Sequence, residues 1–139
     1  MRTTVLCSIV LLATYGCGSD EPTSPISVTG TYPLVSVNGQ SVPADYGGCC
    51  IIESGSMTLE GDGRYAISMD NRNINNEMRF TALERGTYTV SGSTIAFVRT
   101  PGEWDYRLAT GTMRGSRLTA KFGGNFPGAA DQLTAVFER

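Results

Sequence analysis

The chain has 139 residues, with 11 Lys plus Arg against 13 Asp plus Glu and no histidine. One domain fits that length. A net charge of -2 lacks the basic excess through which nucleic-acid binders release counterions, so no nucleic-acid partner is expected. The missing histidine excludes Ser-His-Asp and Cys-His catalysis, His-ligated zinc and the usual pH switch.

The first element is a targeting segment. Arg2 precedes the apolar run Val5 to Ala13, and small residues follow at Gly16-Cys17-Gly18. That is the charged, apolar and cleavage-region order of a secretory signal. The run is shorter than the ~20 apolar residues a membrane span needs. Thr14-Tyr15-Gly16-Cys17 resembles the lipobox of bacterial lipoproteins, with Thr14 standing where leucine is usual. The resemblance implies that residues 1–16 are removed and that Cys17 is acylated, making the membrane a partner through an N-terminal lipid. Gly18 stands where an aspartate would retain a lipoprotein in the inner membrane, so the expected location is the cell envelope, at the outer membrane. Residues 17–29, with two prolines among Ser, Thr and acidic residues, read as a tether. The folded domain is expected over 30–139.

From Gly30 onward no segment holds a helical apolar period across three turns, whereas period-two alternation recurs. Strands are predicted over 30–38, 51–60, 64–70, 76–90, 93–99, 105–113, 117–122 and 132–138. Gly61-Asp62-Gly63, Ser91-Gly92 and Gly115-Ser116 supply tight turns. Short sequential connections make the strands antiparallel neighbours. Eight of them predict an all-β, eight-stranded antiparallel up-and-down barrel, which leaves no edge exposed; a sandwich is the rival. A loose repeat accompanies the strands. Gly55-Ser-Met-Thr-Leu, Gly86-Thr-Tyr-Thr-Val and Gly111-Thr-Met-Arg each lead from a strand into a tight turn and out again. Unequal spacings make this hairpin stacking within one domain, not a solenoid.

Gly30-Thr-Tyr-Pro-Leu-Val-Ser-Val, Gly55 to Tyr65 and Gly86 to Ile95 together resemble the small bacterial lipocalin-like lipoproteins of unknown function. In lipocalins a Gly-x-Trp motif opens the first strand, and a late arginine packs over the tryptophan. Here Tyr32 holds the aromatic position, and Arg139 is the residue placed for the arginine role. The resemblance implies a barrel and no catalytic motif.

Cys49 and Cys50 are adjacent and are the thiols left once Cys7 is removed and Cys17 acylated. A vicinal disulfide, an intermolecular bridge and free thiols all stay open. Two cysteines without histidine make no zinc set, so neither metal nor cofactor is expected. Glu103-Trp104-Asp105 pairs two acids around an aromatic, the makings of a glycosidase site, but acids two apart on a strand are ordinarily solvated, and no enzyme is expected. Asp70 to Glu77 is rich in oxygen ligands and lacks calcium-loop spacing. Trp104 and Tyr106, after the Pro101-Gly102 turn, are the candidate contacts for a small hydrophobic ligand at one mouth of the barrel; plugging that mouth as packing is the plainer role. The arginines that alternate with apolar residues, among them Arg64, Arg72, Arg99, Arg114 and Arg117, read as an outer face; a few could instead line a polar interior and pair with Glu60, Glu77 or Glu84. The expected function is a lipid-anchored envelope barrel that binds a small apolar ligand. The alternative is a protein-binding or structural module.

Overall fold

The period-two alternation emerges as a closed β-barrel without helices. The computed structural model describes residues 27–46, 48–102, 107–123 and 132–139. Ten strands form: β1 Gly30–Val37, β2 Gln40–Ser41, β3 Ala44–Asp45, β4 Cys50–Leu59, β5 Arg64–Asn73, β6 Arg79–Ser91, β7 Thr94–Arg99, β8 Leu108–Arg114, β9 Arg117–Gly123 and β10 Gln132–Glu138. All pairings are antiparallel. β4 to β10 follow one another around the wall, and β1 closes it by pairing β10 on one side and β4 on the other. These are the eight strands of the barrel; β2 and β3 are short additions beside β1 and β4.

The eight expected strands are all present. Two differences stand out. β2 and β3 each hold two residues, too few for alternation to register. β5 runs on to Asn73, through a polar stretch that reads as turn-forming. Cross-strand partners hold that stretch extended: Asp70 lies opposite Ser54 and Thr81, and its carboxylate accepts from their hydroxyls at 2.6 and 2.7 Å. The turn begins later, where Asn75 N donates to Asn73 Oδ1 and Met78 N donates to Asn76 Oδ1.

Stagger sets the tilt of the wall. Paired residues run from Gly30 to Leu59, Tyr65, Gly86 and Arg99, from the first residue of β1 to the last of β7. A barrel closes only with such a shear. Two of the three repeat glycines lie where close neighbours leave no room for a Cβ. A Cβ at Gly86 would collide with the Val98 carbonyl and lie 2.7 Å from the Tyr65 ring. At Gly111 it would lie 2.9 Å from Leu118 and 3.2 Å from Phe97. An aromatic covers each bare backbone, a device that tightens strand curvature.

The inner face is filled with large side chains. Tyr32, Tyr65, Phe122, Phe137, Met57 and Met69 are among those fully buried. Each such side chain contributes ~1.5–3 kcal/mol by leaving water. Packing begins before the first strand, since Val28 is buried and its carbonyl accepts the Tyr32 hydroxyl at 2.6 Å.

The two ends differ. Turns at 60–63, 92–93 and 115–116, together with Val28 and Arg139, gather at one end. The opposite end carries the described connections 38–46 and 74–78, together with the far ends of β7, β8, β9 and β10.

Candidate functional site

The short-turn end is sealed by side chains. Arg139 lies over the Tyr32 ring, its guanidinium carbon 4.4 Å from the centroid. Its Nη1 donates to the Thr29 carbonyl at 2.8 Å, and its backbone N donates to the Ser116 carbonyl at 3.2 Å. Gly30 adopts φ 141°, and a Cβ there would run into the Arg139 guanidinium. The Tyr32 hydroxyl is pushed above the ordinary tyrosine value by burial, with the nearby Arg139 charge pulling the other way. Tyr32 and Arg139 therefore make the contact that the lipocalin resemblance implies.

Inside the wall sits one pair that alternation hid. Glu84 is fully buried and accepts the Tyr65 hydroxyl at 2.7 Å. Burial first, then the hydrogen bond to Glu84, push the Tyr65 hydroxyl far above its ordinary value. Arg99 is close enough to oppose that shift, and it shares the inward face of β7 with Ile95 and Phe97. Arg99 thus departs from the outer-face expectation. The signal was present: Phe80 and Ala82 face inward, and two residues further on the same alternation reaches Glu84. Among the described residues Asn71 is the other buried polar residue, its Nδ2 donating to the Met69 carbonyl at 2.8 Å.

The long-connection end is the candidate site. Cys49 and Cys50 are joined as a vicinal disulfide. Cys50 opens β4 opposite Asn73, and the Cys49 carbonyl accepts from Ile74 N at 2.9 Å. The pair thus ties the first long connection to the 74–78 turn. Ile74 and Met78 expose 38% and 55% of their surface there, beside half-buried Cys49 and Phe80. An ion-pair network borders them on the outer face. Arg72 reaches Glu53 at 2.9 Å and Glu77 at 2.8 Å, and Arg79 reaches Glu53 at 3.3 Å. Glu53, then Glu77, hold the Arg72 guanidinium above its ordinary value.

The sequence candidates divide as follows. Cys49 and Cys50 come together, in the first of the three forms left open. Cys17, Trp104 and Tyr106 lie outside the described residues, as do Glu103 and Asp105. Among the described residues no three His, Cys, Asp or Glu side chains are grouped to hold a metal ion. Comparison with protein-family models, curated proteins and solved structures found no match.

Proposed function

We propose that the chain is a lipid-anchored cell-envelope protein whose filled, lipocalin-like barrel is a scaffold that presents its long-connection end to a partner protein. One observation carries this reading: the chain enters the barrel at Val28 and Thr29, at the short-turn end, while the described connections 38–46 and 74–78 lie at the other. A tether running from Cys17 to that end holds the short turns towards the bilayer and the Ile74–Met78 rim away from it. Acyl chains on Cys17 supply the hold, at ~0.8 kcal/mol per buried CH2. The filled interior favours a partner at the rim over a ligand within.

Palmitate labelling in a bacterial host tests the anchor. Wild-type chain should take up label and sediment with membranes, and Cys17→Ser should do neither; a Cys17→Ser chain that stays labelled overturns it. Carrier function is the second reading, favoured by the polar Tyr65–Glu84 pair within an apolar interior. A ligand would then pass the mouth beside Trp104 and Tyr106. Calorimetric titration with fatty acids and isoprenoids, on wild type and Trp104→Ala, separates the two readings. Stoichiometric binding weakened by the substitution establishes the carrier, and no binding leaves the scaffold.

A further inference from the structure

We infer that Arg114 and Arg117 form a phosphate-binding cleft that docks the barrel against the headgroups of anionic lipids. The inference rests on the anchored reading above for its choice of partner, and on the following geometry for the site itself. Arg114 and Arg117 are directly opposite one another on β8 and β9. Both are exposed on the outer face, one step from the tight turn at Gly115 and Ser116. Behind them Thr112 and Thr119 form the next outward pair of the same ladder, and the four side chains line a depression of about 500 Å³.

Like charges placed directly opposite each other on a sheet are destabilising. Three other arginines are held in ion pairs: Arg64 with Glu60 and Asp62, Arg72 with Glu53 and Glu77, and Arg79 with Glu53. Among the described residues Arg114 and Arg117 form no ion pair, even though Glu138 stands opposite Arg117 in the register of β10. The fold thus keeps two guanidinium groups together and leaves their forks open. Two guanidinium forks over two hydroxyls fit the tetrahedral oxygens of a phosphate group, because arginine donates in parallel pairs to such oxygens.

The position of the cleft selects the source of that phosphate. Ser116, in the turn between the arginines, accepts from Arg139 N, and Arg139 Nη1 donates to the carbonyl of Thr29. The cleft therefore sits beside the point where the tether leaves the barrel. Ten Cα–Cα steps run from Cys17 to Ser27, a reach of at most ~35 Å. A tether of that length keeps the short-turn end near the bilayer, within range of its headgroups. Lys121, four residues along β9 from Arg117, lies towards the other end and serves as the control.

Binding of the full chain carrying Cys17→Ser to sedimentable vesicles tests the site without the lipid anchor. Vesicles of phosphatidylcholine are compared with vesicles containing one-third phosphatidylglycerol. The phosphatidylglycerol vesicles should bind more tightly, and less so as salt rises. Replacing Arg114 or Arg117 with serine should weaken that binding about fivefold each, and about thirtyfold together. Lys121→Ser should change it less than twofold. Melting temperatures of the arginine variants should equal or exceed that of the parent, since only a repulsion is removed. Undiminished binding of the double variant overturns the inference. A loss on Lys121→Ser as large as that on Arg117→Ser overturns it too, because it marks diffuse attraction. Saturation of the cleft by inorganic phosphate, without preference for phosphatidylglycerol vesicles, assigns it to free phosphate and overturns the docking role. The anchor is judged separately by palmitate labelling of the wild-type chain, so its failure is distinguishable from that of the cleft.

Discussion

At one end of this barrel the chain turns within a few residues, Arg139 lies across Tyr32, and Val28 is packed beneath them. At the other, long connections leave the wall, Ile74 and Met78 face solvent, and the cystine joins neighbours that are already adjacent in the chain. The first end is closed over by Arg139, which spans the sequence to Tyr32 and Thr29; the second has a long-range bond of its own, from Thr134 N to Asn38 Oδ1, but leaves Ile74 and Met78 to solvent. The difference teaches that order in a barrel need not be uniform. Where strands are joined tightly, buried aromatics fix the geometry; at the other end Ile74 and Met78 are left to solvent. Loops on a rigid wall are where binding surfaces ordinarily lie.

If that contrast holds, substitutions at the sealed end should cost most. Tyr32→Ala should lower stability by about 3–5 kcal/mol in urea unfolding, since it empties a fully buried aromatic site and removes the hydroxyl bound to Val28. A smaller loss there than at the cystine would break the comparison. Tyr65→Phe, in the middle of the wall, should cost about 1–3 kcal/mol by leaving the buried Glu84 carboxylate short of a donor. Its pH dependence adds a check. The folded-state value of the Tyr65 hydroxyl is raised above its unfolded value of ~10, by burial first and then by Glu84. Its contribution is therefore full below about pH 10 and is lost as pH rises beyond it. The alkaline fall in stability should be shallower in Tyr65→Phe than in the parent.

Arg139→Met should cost about 1 kcal/mol, from the stacking over Tyr32 and the bond to the Thr29 carbonyl. The double variant Cys49→Ser, Cys50→Ser should cost less than ~1 kcal/mol, because a disulfide stabilises chiefly through the loop it closes and this one closes almost none. Thermal unfolding with and without reductant measures it. The smallest effect belongs to Asp70→Asn. Hydroxyls of Ser54, then Thr81, hold the Asp70 carboxyl below its ordinary value. Its contribution is present above the unfolded value of ~3.9 and lost as pH falls through the lower folded one. Because Asp70 is exposed, that contribution is under ~0.5 kcal/mol. Acid titration of stability should be slightly flatter in the Asn variant.

Much of the wall was legible in the sequence because alternation is a property of single strands. Met57 and Leu59, then Tyr65, Ile67 and Met69, announce an inward face before any partner is known. The predicted strand stops at Asp70, because the extended form of Asn71 to Asn73 depends on pairing with other strands and leaves no local alternation. Glu84 was open to an interior reading only as a partner for arginine; its bond to Tyr65, nineteen residues away, has no local pattern to announce it. The Tyr32–Arg139 contact was reached through family resemblance, since no local pattern joins the third residue of β1 to Arg139. The open Arg114–Arg117 pair was legible as an outer face but not as a site, because its significance lies in which carboxylates fail to meet it.

The seam of the barrel has a consequence for its assembly. Asn38 Oδ1 accepts from Thr134 N, 96 residues away, and Arg139 reaches Thr29 across 110. β1 thus finds one of its two neighbours only when the last strand arrives. Long loops must be closed before these contacts return any free energy, and folding dominated by such distant pairings takes milliseconds to seconds. A nascent chain halted before Gln132 would hold β1 and β9 as open edges, with half of the seam unpaired. Closure is then a terminal event, made by the final seven residues of strand, and the protein passes from an adhesive open sheet to an edgeless one in a single step.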